Sequence, residues 1–229
     1  MVKVQFLGHS FFRISFPGAN VLIDPYINHN SDDSSFERLI PCVTNTNTFQ
    51  NISSILITHE HFDHFDQKAI EEFASGNDTK IVAHDSILNQ LNLPKNKLHS
   101  IVRDQTIILD HIKITAKDAH HPRAFYPLGY LLSHNGKSIY HAGDTSLIDQ
   151  FSEINADVTL LPIGGVNTMD VVDAVRAVKT MKPKYAIPMH YNTFKGIQAD
   201  PREFKAKIEK SILKTKPVIL KPGQSFNLK

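Results

Sequence analysis

The sequence predicts an α/β protein whose mixed β-sheets are covered by helices. Three observations carry this. β-like runs crowd the first 26 residues, apolar strands alternate with amphipathic segments from about residue 52 onward, and 229 residues are enough to bury a large core. One domain over residues 1–229 is expected. Periodicity alone leaves open whether the strands form one sheet or two.

"VKVQFLG" and "FFRISF" alternate as half-buried strands, and "NVLIDPY" follows the turn-forming "PGAN", so the first three strands form a meander. Residues 28–51 are rich in Ser, Asn, Asp and Thr. They predict a long connection with one short helix around residues 36–40, and a length that suits a lid or pocket wall. "SILIT" is a strand, and "DQKAIEEFA" sets Ala69, Ile70 and Phe73 on one helical face. "KIVAH" and "DSILNQL" repeat the strand-helix pair. "HIKITAKD" is the next strand, and "YLLSHNGKSIYHAGDT" is a hairpin turning at Asn135-Gly136. "SLIDQFSEI" reads as a helix, "DVTLLPI" as a buried strand, "MDVVDAVRAVKTM" as an amphipathic helix and "YAIPMH" as a strand. Asp200, Pro201 and Glu203 mark the start of a last helix, and "KPVILKPGQSFNL" adds one or two short strands.

Composition narrows the function classes. With 25 basic against 23 acidic residues, spread along the chain, there is no stripe of positive charge to capture nucleic acid. Cys42 is the only cysteine, so an intrachain disulfide and a thiolate metal cluster are both excluded. The opening segment lacks the pattern of a secretory leader, and no segment reaches the roughly 20 apolar residues needed to span a bilayer. A cytoplasmic protein is expected, with a homo-oligomer left open.

The 13 histidines matter through their positions. His59 ends one predicted strand, His120 and His121 follow another, Asp144 follows a third and His190 ends a fourth. Ligands in open α/β proteins bind beyond the carboxyl ends of strands, so these groups can meet in one crevice. In "ILITHEHFDHFD", His59 and His61 can turn to one ion while Asp63 and His64 face a neighbouring point. Two ions roughly 3.5 to 4 Å apart would use all of them, with Asp144 suited to bridge. Taken singly, Asp144 fits a turn and His190 a buried capping histidine. At most one of His120 and His121 reaches the same ion. His9 and Asp24 also end strands and suit supporting roles. His29, His84, His99, His111, His134 and His141 offer no such case. Asp66 reads as the cap of the helix that follows, and Phe62 and Phe65 as loop or wall packing.

"THEHFDH" is the HxHxDH signature, and with "LGHSFFRI", "VLIDPYI", "HAGDT", "LLPIG" and "HYNTF" the chain resembles the metallo-β-lactamase superfamily over nearly its whole length. More narrowly it is similar to the UPF0173-type metal-dependent hydrolases, which are related to ascorbate-6-phosphate lactonases and, more distantly, to phospholipase D enzymes acting on N-acyl phosphatidylethanolamine. The resemblance implies a four-layer αββα sandwich of two mixed sheets. It implies that His59, His61 and His121 bind a first metal, that Asp63, His64 and His190 bind a second, that Asp144 bridges, and that Asp24 supports the histidine loop. Three departures bear on substrate. Phe65 and Asp66 stand where small residues are common, "LPIGGVNTM" replaces a common LPIGDxFTM, and the connection 28–51 is longer and more polar than usual.

The implied cofactors are two divalent metal ions, zinc first, with manganese, iron, cobalt or nickel also suited to these donors. Water between two such cations is deprotonated near neutrality and attacks a carbonyl or phosphoryl centre, with Asp63 and Asp144 as the catalytic carboxylates that orient it. Neutral imidazoles and two aspartates around two divalent ions leave a net charge of about +2, which favours an anionic substrate. The expected activity is hydrolysis of an ester, lactone or phosphodiester of a small molecule. A nuclease would add a basic track, a phospholipid phosphodiesterase an apolar rim at Phe36, Leu39 and Ile40. A non-catalytic metal-containing binding protein would keep the ligands without turnover.

Overall fold

The computed structural model describes residues 1–28, 33–49, 51–75 and 78–229. The opening meander forms as expected: β1 (Val2–Gly8), β2 (Phe11–Phe16) and β3 (Ala19–Ile23) pair antiparallel in chain order. Strand alternation sends Val4, Phe6, Ile14 and Val21 to one face and Leu7, Phe11 and Leu22 to the other. The connection that follows carries 3₁₀ turns at Ser34–Phe36 and Thr46–Thr48. A helix at 36–40 does not form. Asp33 caps the first turn through Ser35 N–H, but beyond it Arg38 binds the carbonyls of Ile40 and Tyr26, and Leu39 N–H donates to Thr193 O. These bonds draw the chain away from helical pairing. His29, expected within this connection, lies outside the described residues.

β4 (Ser54–Leu56), α1 (Gln67–Ala74), β5 (Lys80–Ala83), α2 (Asp85–Leu88) and β6 (Leu98–Ser100) extend the first sheet with parallel pairing. α2 is one turn, shorter than expected, because Gln90 and Leu91 N–H groups bond three residues back and tighten the chain out of α geometry. The second sheet contains β7 (Thr106–Leu109), β8 (Ile112–Asp118), β9 (Leu128–His134), β10 (Lys137–His141) and β11 (Val158–Pro162). Asn135 and Gly136 have φ of +47° and +71°, the left-handed pair that a tight two-residue hairpin requires. Residues expected as a helix after Asp144 instead form a 3₁₀ turn at Asp149–Glu153, closed by an Ile154 N–H to Phe151 O bond. α3 (Val171–Met181), β12 (Tyr185–Met189), α4 (Pro201–Glu209) and β13 (Lys216–Pro217) complete this half, and β14 (Ser225–Leu228) returns to pair with β1.

Among the described residues the strands form two seven-stranded mixed sheets, ordered β14-β1-β2-β3-β4-β5-β6 and β13-β12-β11-β10-β9-β8-β7. Phe6, Phe12 and Ile14 meet Ile114, Tyr130 and Leu132 between them. α1 and α2 cover the outside of the first sheet through Ile70, Phe73 and Ile87, and α3 and α4 cover the second through Val178 and Phe204. The result is the αββα sandwich. Tyr130 Oη donates to Ile57 O at 2.9 Å, tying the sheets at the level where the chain leaves β4. No helix among the described residues is long and apolar enough to cross a membrane.

Candidate metal centre

The carboxyl ends of β1, β3 and β4 meet those of β8, β10 and β12 at one edge of the sandwich. Asp24, one residue past β3, is fully buried with φ of +50°, which turns its carboxylate under the loop leaving β4. Oδ1 accepts from Thr58 N at 2.8 Å, and Oδ2 accepts from Thr58 Oγ1 at 2.7 Å and His64 Nδ1 at 2.8 Å. The Thr58 hydroxyl proton is committed to Asp24, so its oxygen accepts from His59 Nδ1 at 3.0 Å. Asp24 therefore sets the tautomers of both histidines, with each Nε2 aimed away from the loop. Asp66 caps α1 through Ala69 N–H and also accepts from Ile27 N and Asn28 N, a structural duty that agrees with the sequence reading.

The donors gather into three groups, each with its nitrogen or oxygen atoms within 4.8 Å of one another. The first is His59, His61 and His121. The second is His9, Asp63, His64 and His190, and the third is His59, His64 and Asp144. All seven residues expected as ligands thus lie in the cluster. His121 Nε2 stands 3.1 Å from His61 Nδ1, while its own Nδ1 donates to Asn167 O at 3.0 Å. Asp144 stands in the middle: Oδ1 is 3.3 Å from His64 Nε2, and Oδ2 is 3.0 Å from His190 Nε2 and 3.8 Å from His121 Nε2. Neighbouring His120 is exposed, and its backbone N–H is taken by Thr145 Oγ1.

A metal fits this arrangement. His59 Nε2, His64 Nε2, His190 Nε2 and Asp144 Oδ1 are buried with no protein hydrogen-bond partner, a cost that cation binding relieves. Burial and the neighbouring His64 hold the His59 imidazole well below its ordinary range, and burial lowers His121, so both are neutral donors. Burial alone would raise the two carboxylates. His190 and His64 overcome it at Asp144, and His64 with the His9 hydrogen bond overcomes it at Asp63, so both are ionised. Burial likewise opposes protonation of His64, yet Asp144, Asp24 and Asp63 raise it well above the histidine range. Its Nδ1 proton belongs to Asp24, and the Nε2 proton facing Asp144 is the one a cation displaces.

Sequence reasoning passed over Thr58, Asn167 and His141. His141 Nδ1 accepts from Gly143 N–H at 3.1 Å, so Nε2 carries the proton and donates to Ser10 O at 2.9 Å. One buried ring thereby joins the β1–β2 turn to the loop bearing Asp144. Gly143 has φ of +63°, and a Cβ there would stand 2.6 Å from Leu128 O, so no other residue fits. The Asn167 carbonyl reaches His121 because Gly165, Val166 and Asn167 are all left-handed, at +69°, +53° and +68°. For a β-branched valine this strain costs about 1–3 kcal/mol. His141 stood out as a histidine ending a predicted strand, though not as a buried one; the carbonyl of Asn167 gave no signal. Beside the second group, Phe36 packs edge-on to Phe62 at 5.2 Å and to Phe194 at 5.7 Å, and Phe194 lies 5.3 Å from the His9 ring.

Residues 3–190 match the family described as the beta-lactamase superfamily domain. A UPF0173 metal-dependent hydrolase of Pyrococcus furiosus is 36% identical over 240 aligned positions that span all of both chains. One from Staphylothermus marinus is 37% identical and covers 99% of each. Among solved structures, a metallo hydrolase from the hyperthermophilic archaeon Ignicoccus hospitalis superposes with a TM-score of 0.84 at 31% identity, covering 100% of this chain and 99% of its own. With the two-sheet sandwich and the histidine-aspartate cluster at its edge, these likenesses establish that the chain belongs to the metallo-β-lactamase superfamily, among its UPF0173 metal-dependent hydrolases.

Proposed function

We propose that this chain is a dinuclear metal-dependent hydrolase that cleaves an ester, lactone or phosphodiester of a small anionic molecule. The observation that carries the reading is Asp144, whose two oxygens reach toward His64 and His190 on one side and His121 on the other. His59, His61 and His121 would hold one cation, Asp63, His64 and His190 the other, and Asp144 both. The all-nitrogen-and-oxygen donor set suits zinc, and also manganese, iron, cobalt or nickel. When bound, two divalent cations supply water of near-neutral pKa and positive charge that attracts an anionic substrate.

The chain's own residues do the rest. Asp63 and Asp144, both ionised, accept hydrogen bonds from the attacking water and fix its orientation. After attack one of these carboxylates takes up the proton and passes it to the leaving group. The test is a screen of lactones, phosphodiesters, phosphomonoesters and thioesters with metal-stripped and reconstituted protein. Turnover that requires metal and vanishes in Asp144→Ala supports the reading; metal binding without turnover on any class favours a binding protein.

A second reading concerns the substrate's other end. Phe36 and Leu39 are 39% and 50% exposed beside the second group, and Phe125 and Val166 are 75% and 65% exposed near the first. These apolar side chains favour an amphiphilic substrate, such as a phospholipid-like phosphodiester, with its apolar arm against a wall supplied by the connection after β3.

A further inference from the structure

His9 belongs to no ligand set implied by the resemblance, yet it stands inside the cluster. It follows β1 at a bulge, where the register with β2 shifts between Phe6 and Gly8, and it takes the left-handed conformation at φ of +59°. That backbone turns the side chain inward, where the ring is almost fully buried. Tyr26 and Phe194 enclose it at ring distances of 5.8 and 5.3 Å, and the His190 ring lies 4.2 Å away. The bulge aims the side chain, and the aromatic walls hold it.

Two bonds radiate from this residue. Its Nε2 stands 3.0 Å from Asp63 Oδ2, and its backbone carbonyl accepts the N–H of His190 at 2.9 Å. Two lone pairs cannot face each other at 3.0 Å in a dry site, so a proton lies between Nε2 and the carboxylate. Nε2 carries that proton and donates it to Asp63. His9 Nε2 faces Asp63, whereas the Nε2 atoms of His64 and His190 both face Asp144, the carboxylate between the groups, so His9 stands apart from them although all three fall in one group. His190, itself left-handed at +54°, comes from the opposite sheet. One residue of the first hairpin thus fixes a carboxylate on its own sheet and the backbone of a histidine on the other.

We propose that His9 is a positioning residue for the second metal position: its Nε2–H orients Asp63, and its carbonyl docks the His190 loop, so that both converge with His64 on one cation. The proposal rests on the dinuclear reading above. The side-chain half is specific to a donor at Nε2, since the carbonyl bond survives any substitution. Shape alone therefore does not suffice.

The test is a metal titration against a chromophoric chelator, with zinc and then manganese, of the full chain and of His9→Phe, His9→Ala and His9→Gln. Phenylalanine keeps the ring packing without the donor, and glutamine returns an N–H near the place of Nε2. For wild type, two equivalents bind. In His9→Phe and His9→Ala the second equivalent weakens by about 10- to 100-fold while the first keeps its affinity, as expected for loss of a hydrogen bond to a metal-binding carboxylate. The unchanged first equivalent also reports an intact fold. His9→Gln recovers most of the second-site affinity. Wild-type second-site affinity in His9→Phe and His9→Ala overturns the proposal. So does a His9→Gln variant as weak as His9→Ala, which would make the imidazole itself the ligand. A single equivalent in wild type instead overturns the dinuclear reading on which the proposal stands.

Discussion

Replacing Asp24 by asparagine isolates the tautomer control of the centre. The side chains are nearly the same size, so the fully buried site keeps its packing. The carboxylate accepts three bonds, from Thr58 N, Thr58 Oγ1 and His64 Nδ1, at 2.7 to 2.8 Å. An amide has one accepting oxygen. If that oxygen keeps Thr58 N–H, the amide nitrogen faces His64 Nδ1 and forces its proton onto Nε2, the atom aimed at Asp144. If the amide flips, two N–H donors confront each other at Thr58, a buried mismatch of about 1–3 kcal/mol. Either way, offering the Nε2 lone pair to a cation costs extra. An outer partner of this kind is worth about 10- to 100-fold in metal affinity, or roughly 1.4 to 2.7 kcal/mol. Competition titration of Asp24→Asn should show that loss at the equivalent held by His64, and at the one held by His59 through the Thr58 hydroxyl, with hydrolysis recovering as metal is raised to saturation. Wild-type affinity for both equivalents would refute the tautomer assignment, and activity that stays lost at saturating metal would place Asp24 in the reaction itself.

Other expectations follow from the same geometry. Asp144→Ala and His61→Ala should each abolish hydrolysis while circular dichroism stays that of the wild type; full activity in either removes it from the centre. His64 is raised well above 6.5 in the metal-free protein, so cation binding at its Nε2 expels a proton. Apparent affinity therefore falls as pH falls, by about tenfold per pH unit for one proton, and levels off above the folded-state pKa. Calorimetry in buffers of different ionisation enthalpy counts that proton, and a pH-independent affinity contradicts it. Asp66→Ala removes the cap of α1 and orphans the Ile27 and Asn28 amides, costing about 3 kcal/mol and lowering Tm by roughly 6 to 12 °C. Phe36→Ala should raise KM for esters with an aryl or long acyl arm and leave short polar esters unchanged, measured on a matched series.

Much of this architecture was legible because its signals are local. Alternation in the first three strands and the Asn135-Gly136 turn depend on neighbours in sequence, and both appear as read. Strand ends with ionisable residues pointed to the edge where the cluster forms. β6 and β7 escaped notice because they are three and four residues long and half-exposed, too short to show a period. The helix expected after Asp144 and the full length of α2 failed for another reason: i to i−3 bonds won the last turns over helical propensity. Within the site, residues that donate through side chains of metal-binding type stood out, whereas the Asn167 carbonyl works through its backbone and the Thr58 hydroxyl through its place beside Asp24. Histidine 141 was visible as a letter, but its role depends on Ser10, 131 positions away. Contacts of that range have no signature in one sequence.

The dinuclear assignment is tested most directly by anomalous diffraction from crystals of the chain loaded with zinc or manganese. Two peaks are predicted, one among His59, His61 and His121 and one among Asp63, His64 and His190, with Asp144 reaching both. A single peak in an enzyme that still hydrolyses its substrate at the full rate would contradict it.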